Sequence, residues 1–409
     1  MKKMTLQEWE TKYIESAIER FDPRNQMFTR PMWDPEIKGL LDDWSIAGSP
    51  SQKSGFTLED QALRWGSNAG TALSQQAISG SRTSNPPSET IATTENRLSA
   101  TTNPMASIMS YQVPEGTKAD TSDQEKLTNM VKKTARWFGA DLVGICNLDR
   151  RWIYESTDPS PMAREIPDEY QNAIVLGFEM DYGLIRYFNT YTANAATRIG
   201  YSRMAVTNAH LASFIRYLGF QAIESGNDTA LSIPLAMQAG LGDIGRNGIL
   251  ITPEFGPRIR LSKVFTDLPL LTDQPIDFGV TEFCEACKKC AQTCPSRSIS
   301  TGNRTTEPNN KSNNPGALKW PINAETCRTY WSRVQTPCVS CIATCPYNKE
   351  YSLFHRGIRW ITDNARWSDS LFVKMDDLFG YGRQKKVDNF WNEWQPSNGY
   401  GNKNRIKGR

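Results

Sequence analysis

Apolar positions along this chain change period several times, and each change marks an element. An opening helical pattern runs through Trp9, Tyr13, Ile14 and Ile18. A clearer one covers 123–138, where Leu127, Met130, Val131, Ala135 and Trp137 share one helical face. Apolar runs at Asp141–Leu148 and Ala173–Glu179 predict strands. Met204, Leu211, Ile215 and Leu218 then fall on one face of a helix over about 202–218, which Gly219 ends. Gly248–Thr252 and Arg260–Thr266 read as further strands, whereas Gln221–Ile223 receives no assignment. Helices and strands alternate from about 123 onward, an α/β pattern.

The flanks differ in character. Residues 1–120 lack cysteine and are polar, and from about 70 to 110 the chain is rich in Ser, Thr and Asn, with Pro86-Pro87. Such a composition builds no core alone, so it is a linker or a wrap over another domain. The interspersed Trp33, Trp44, Phe56 and Trp65 favour the wrap. The tail carries Trp360, Trp367, Trp391 and Trp394 before a polar stretch predicted to be disordered. Four parts are expected: a wrapping segment over 1–120, an α/β core over 121–275, a cysteine-rich domain over 276–350 and an aromatic-rich end over 351–409.

Bulk properties exclude several classes. The chain has 409 residues and a net charge of +3, with Lys and Arg scattered, so nothing points to nucleic acid. A mean hydropathy of −0.54 and the lack of a long apolar run argue against a membrane span. The opening Met1-Lys2-Lys3-Met4 carries neither a hydrophobic signal segment nor a twin-arginine pair. Either the protein is cytoplasmic or its targeting segment lies outside this sequence.

Nine cysteines change the picture, because eight of them fall in two runs. The first is Cys284-x2-Cys287-x2-Cys290-x3-Cys294-Pro295, and the second is Cys327-x10-Cys338-x2-Cys341-x3-Cys345-Pro346. The first matches the bacterial two-cluster iron–sulfur spacing, in which the fourth cysteine of a run ligates the other cluster. That pattern assigns Cys284, Cys287, Cys290 and Cys345 to one [4Fe–4S] centre, and Cys294, Cys327, Cys338 and Cys341 to a second. Disulfides suit small secreted scaffolds, and zinc needs neither the third cysteine nor the proline. The x10 gap makes Cys327 the least regular member. Cys146, among Leu142, Val143 and Ile145, reads as an inert buried thiol.

Gly240-Leu241-Gly242-Asp243-Ile244-Gly245 matches the dinucleotide G-x-G-x-x-G pattern, which carries meaning only after a strand and before a helix. Here a helical Ile233–Ala239 precedes it and a strand follows. The order is reversed, which leaves a glycine-rich turn able to approach a flat cofactor. His210 and His355 are the only histidines, and His210 lies on a predicted helix.

Residues 197–295 resemble the corrinoid-dependent reductive dehalogenases of the chlorinated ethene and alkane type. The likeness rests on Thr197…Tyr201-Ser202-Arg203-Met204, Gly226-Asn227-Asp228-Thr229, Gln238-Ala239-Gly240-Leu241-Gly242 and Gly245-Arg246-Asn247-Gly248. It continues through Phe255-Gly256-Pro257-Arg258-x-Arg260, Phe265-Thr266-Asp267-Leu268 and Glu282-Phe283-Cys284, and weakens in the first 120 residues. It implies a nitroreductase-like α/β core holding a base-off cobalamin, joined to a ferredoxin-like domain with two [4Fe–4S] clusters. The implied reaction replaces chlorine by hydrogen on a small alkane or alkene through Co(I). By the same resemblance Tyr201 is the proton donor, Arg260 its basic neighbour and Asn227 a polar group of the halide and substrate pocket. Thr197 and Trp331 line that pocket, and Gly240, Gly242 and Gly245 approach the corrinoid. The resemblance further implies export to the outer face of the bacterial cytoplasmic membrane, peripheral attachment through a small membrane-anchor protein, and no nucleic-acid partner.

Elementary chemistry fits those roles. Reductive dehalogenation consumes two electrons and one proton. A phenol with a pKa near about 10 is a weak acid, and an adjacent guanidinium favours its ionised form. An amide such as Asn227 donates to a departing halide without adding charge. Periodicity alone would make Tyr201 a core tyrosine, Arg260 a strand-edge cation and Asn227 a turn residue. Two rival readings remain. An epoxyqueuosine reductase also combines cobalamin with two clusters but needs a tRNA surface, and a two-cluster electron carrier needs only 276–350.

Overall fold

A computed structural model describes residues 1–40, 49–71, 116–155, 164–350 and 368–394, with Gly357 and Ile361. Trp44, Pro86-Pro87, His355, Trp360, Trp367 and the polar C-terminal stretch lie outside the described residues. In chain order the first elements are β1 (Lys2–Lys3), α1 (Leu6–Tyr13), α2 (Leu58–Gly66), α3 (Gln124–Trp137), β2 (Leu142–Asn147) and β3 (Asn172–Glu179). There follow α4 (Tyr191–Tyr217), β4 (Ala222–Ser225), α5 (Ser232–Gln238), a hairpin of β5 (Asp243–Ile244) and β6 (Leu250–Ile251), β7 (Ile259–Thr266) and β8 (Ile276–Asp277). The architecture is mixed α/β.

Four strands form the central sheet in the order β2–β3–β7–β4, with every neighbouring pair antiparallel. All eight residues of β3 are buried, so the sheet is covered on both faces. Alternation sorts them: Ile174, Leu176 and Phe178 face Leu127, Val131 and Ala135 of α3 and Met204, Leu211 and Ile215 of α4. Ala173 and Val175 face Leu235, Ala236 and Met237 of α5, with Trp9, Tyr13 and Trp152 beside them. Each large apolar side chain in these layers contributes about 1.5–3 kcal/mol through burial.

Most predicted elements coincide with observed ones, and α4 is the main departure. It begins at Tyr191, eleven residues before the predicted start, with Thr190 accepting from Ala193 N as its cap. Residues 191–197 are buried all round, so they present no polar face for a periodicity to reveal. The extension places Thr197 and Tyr201 one turn apart on one helix. Gly219 adopts φ +85° and ends it, as the sequence implied. The unassigned stretch after it becomes the short edge strand β4.

The N-terminal segment is tied down at both ends. Lys2–Lys3 pair with Ile276–Asp277, and the Trp9 ring meets Trp152 edge-on at 6.3 Å. Arg30 is buried between Asp34 at 2.8 Å and Glu325 at 2.8 Å.

The link between the sheet and the cysteine-rich region is a second buried arginine. Arg258 donates to Glu179 Oε1 at 2.5 Å, Met180 O at 3.2 Å, Asn348 Oδ1 at 2.9 Å and Lys349 O at 3.1 Å. Removing one partner of such a pair strands a buried charge. Arg258→Met is therefore expected to destabilise the protein by about 3–5 kcal/mol. Adding Glu179→Leu should recover part of the loss in thermal denaturation, and a fully additive pair of losses would contradict this account.

Candidate active site and cysteine centre

Three elements bring four of the sequence-predicted residues together. Tyr201 and Thr197 come from α4, Arg260 from β7, and Asn227 from the loop after β4. Asn227 Nδ2 donates to Tyr201 Oη at 2.9 Å, and Arg260 Nη1 donates to the same oxygen at 3.4 Å. Arg260 Nη2 reaches Thr197 Oγ1 at 3.3 Å, and the guanidinium lies 5.0 Å from the Tyr201 ring centroid. Tyr201 Oη thus accepts two hydrogen bonds, which leaves its own proton directed at a third group. Asn227 is exposed, so that group can approach from open space.

Lys263 fixes the loop bearing Asn227. Its buried ammonium donates to Gly226 O at 2.7 Å, Ala230 O at 2.8 Å and Ser232 Oγ at 3.0 Å. Burial pulls its pKa down to about 8, with Asp228 opposing the shift. Sequence reading gave Lys263 no role, since a buried lysine inside a strand leaves no trace in hydrophobic patterning.

A further positive region adjoins Tyr201. Arg198 stacks 4.1 Å from the Trp65 ring centroid, and Arg64 lies 4.6 Å from that of Tyr191. Burial holds Arg198 below its ordinary pKa, with Tyr201 opposing, and burial together with Arg198 brings Arg64 to about 10. Arg260 Nε is buried without a hydrogen-bond partner among the described residues. An orphaned donor beside an exposed amide fits a ligand held at this face, as a corrinoid with its substrate would be.

The remaining predicted residues lie elsewhere. Trp331 sits on α8 (Ala324–Val334), 6.1 Å from the Phe28 ring and one turn from Cys327. His210 is exposed against Phe138, with ring centroids 5.2 Å apart. The glycine-rich turn follows α5 and leads into β5, the reversed order read from the sequence. Its glycines have packing reasons. A Cβ on Gly240 would come within 2.5 Å of Gln274 O, one on Gly242 within 2.2 Å of Ile251 O, and one on Gly245 within 2.9 Å of the Asn247 amide oxygen. Gly240, Gly242 and Gly245 can therefore meet a cofactor only through backbone atoms.

All nine cysteines are thiols. Those of the two runs are carried on or beside α6 (Val280–Ala286), α7 (Lys289–Gln292), α8 and α9 (Ser340–Ala343). Cys284, Cys287, Cys290 and Cys345 line one small cavity with Arg246, Asn247, Phe283 and Tyr347. Burial and the neighbouring Cys345 and Cys287 push Cys284 up, and burial with Cys284 and Cys287 pushes Cys290 up to about 12. The other set behaves alike: burial, Cys338 and Cys294 push Cys327 up to about 12. Cys341 is raised by burial and by Cys338, Cys327, Cys290 and Cys294, so the two sets meet at Cys290 and Cys341. Cys146 is apart, its thiol 3.5 Å from Leu235 O and its pKa raised by burial.

Buried thiols that repel one another's charge are poor thiolates unless a cation joins them. A tetrahedral zinc site would bring its sulfurs to roughly 3.8 Å of each other, from bonds of about 2.3 Å. Among the described residues no three Cys, His, Asp or Glu side chains converge on a single ion. Four thiols around a cavity suit a cluster better than a point charge. Arg246 anchors the first set, donating to Cys284 O at 2.9 Å and to Ser300 O and Gly302 O at 2.8 Å each.

No family model matches this chain. A tetrachloroethene reductive dehalogenase of Sulfurospirillum multivorans is 41% identical over 301 residues, covering 66% of this chain and 60% of that protein. Over about two thirds of its length the chain is thus similar to reductive dehalogenases. Another tetrachloroethene reductive dehalogenase, from Dehalobacter restrictus, is 35% identical over 324 residues, with 66% of this chain and 59% of that one covered. The chain spans about 60% of the length of the curated relatives it matches. A solved reductive dehalogenase, described in terms of B12-dependent dehalogenation, superposes with a TM-score of 0.71 over 93% of this chain and 49% of its own, at 23% identity. That likeness shows a shared fold.

A packing role for the turn has a direct test. Gly242→Ala should lower the thermal midpoint clearly, because backbone must move. Gly245→Ala should do so less, because side chains line that space. Equal midpoints for both variants would contradict this reading.

Proposed function

We propose that this chain forms the catalytic part of a reductive dehalogenase that replaces chlorine by hydrogen on small chlorinated alkanes or alkenes. The observation that carries the proposal is Tyr201 Oη accepting from both Asn227 and Arg260. The similar proteins, tetrachloroethene reductive dehalogenases, support the substrate class. Two [4Fe–4S] clusters, one at Cys284, Cys287, Cys290 and Cys345 and one at Cys294, Cys327, Cys338 and Cys341, would relay single electrons. A base-off cobalamin, when bound beside Tyr201, would pass two of them to the carbon–halogen bond.

The chain's own residues then have defined tasks. Tyr201 gives its proton to the carbon losing the halide, and two electrons and one proton thereby yield a carbon–hydrogen bond and a halide anion. Arg260 faces the phenolate oxygen left behind and stabilises its charge. Asn227 turns its amide hydrogens to that oxygen and to the departing halide. Thr197 holds the guanidinium in place, and Lys263 holds the loop of Asn227. Trp331, set on α8 beside Phe28 and apart from Tyr201, has a pocket-lining role only by the family resemblance.

The division at 120, 275 and 350 belongs to the same proposal, with the nitroreductase-like core carrying the corrinoid and the ferredoxin-like segment carrying the clusters. Work at the outer face of the bacterial cytoplasmic membrane, beside a small membrane-anchor protein, would follow for a relative of these enzymes. Among the described residues no helix is long and apolar enough to cross a membrane.

Anaerobically reconstituted protein should bind about eight irons and one cobalt, and with a one-electron dye it should reduce a chloroalkane or chloroalkene. Tyr201→Phe should retain both metals and lose turnover by about 10²–10⁴-fold, the usual worth of a positioned acid. Iron without cobalt would leave an electron carrier, and full activity in Tyr201→Phe would remove the tyrosine as donor.

A further inference from the structure

Two lysines flank the first cysteine set and meet on one carboxylate. Lys289 lies between Cys287 and Cys290, and Lys349 lies four residues after Cys345. Asp376 comes from α10 (Asp369–Leu378), far away in sequence. Lys289 Nζ donates to Asp376 Oδ2 at 2.5 Å, and Lys349 Nζ donates to Asp376 Oδ1. Side-chain exposure is 8% for Lys289, 11% for Lys349 and 4% for Asp376, so all three are shielded from water. Lys289 also donates to Tyr381 O at 3.0 Å, and the Lys349 ammonium lies 3.8 Å from the Tyr381 ring centroid. Asp377 reaches Lys289 at 2.7 Å but is 62% exposed and screened by solvent.

Two buried cations against one buried anion leave a positive charge beside the thiols. Its placement is direct: Lys289 stands between Cys287 and Cys290, and Lys349 follows Cys345 on the same stretch of chain, both held to Asp376. Neither lysine is near Cys327, Cys338 or Cys341 in sequence, and the cation next to Cys327 is Arg328. The triad therefore makes the two sets electrostatically unequal.

We propose that the Lys289–Asp376–Lys349 triad sets the reduction potential of the cluster held by Cys284, Cys287, Cys290 and Cys345, independently of its neighbour. This rests on the iron–sulfur reading above. Reduction adds an electron to a cluster, so a nearby cation favours the reduced form and a carboxylate disfavours it. Low dielectric lets single charges act strongly over such distances. A purely structural triad would pin α10, whose Val373 packs against the apolar cluster that contains Cys284, Cys287 and Cys345. Pinning alone would not move a potential in a direction that follows charge.

The test is a redox titration of the holoprotein under anaerobic conditions, following both clusters by electron paramagnetic resonance. Asp376→Asn should raise the midpoint of one couple, and Lys349→Gln should lower that same couple. The other couple should stay in place in both variants, and Asp377→Asn should shift neither. If Asp376→Asn loses iron, Lys349→Gln, which keeps the Lys289–Asp376 bond, decides the matter. Unmoved couples at full iron content, or equal shifts of both, would overturn the proposal. Wild-type protein lacking any iron–sulfur signal would instead overturn the cluster reading itself.

Discussion

Burying a guanidinium is the constraint around which this molecule is arranged. Arginine keeps its proton in proteins, and its desolvation penalty is several kcal/mol unless its donors are met. Arg258 meets them with Glu179 and Met180 O at the end of β3 on one side and with Asn348 and Lys349 O on the other. The demand for partners thus joins the sheet to the chain just beyond Cys345-Pro346. Arg246 does the same from the glycine-rich turn to Cys284 O. Two fully buried cations therefore hold the cysteine-rich region in register with the α/β core.

Arg260 sits two residues along the same strand, so the joint and the candidate site share a backbone. Residues alternate along β7: Arg260 turns toward Tyr201 and Thr197, and Lys263 turns toward the loop of Asn227. One strand thereby spaces the polar face and the loop that completes it. Under the proposed function that rigidity would have a chemical use, because a proton donor has to be held to within about 0.5 Å.

Much of this was legible in the chain. Three of the four sheet strands and α3 were visible because their apolar residues contrast with polar neighbours, whereas the short edge strand β4 was not; the cysteine runs stood out because thiols at that density have few uses. The first half of α4 was not, since a helix buried on all sides has no period to read. Charged residues inside the core were missed for a related reason: Lys263, Arg246, Arg258 and Asp376 look like surface residues until their partners are known. Tyr201, Arg260 and Asn227 were legible only through a family resemblance. Their mutual hydrogen bonds span 26 and 59 positions and could not be deduced from spacing. The glycine-rich turn was noticed for a nucleotide-like pattern, but its glycines answer to the carbonyls of Gln274 and Ile251 and to side chains beside Gly245.

The crossing of the cysteine runs bears on how the protein matures. Cys345 stands with the first run, and Cys294 with the second, so under the proposed cluster assignment each set would borrow a finger from the other's segment. Neither segment can close around its cargo while the other is still unfolded. Loading must then be nearly all-or-none, and a chain stripped at one centre should surrender both. With the proposed clusters as cargo, inorganic sulfide and iron would have to arrive in step with the folding of the whole 284–345 stretch.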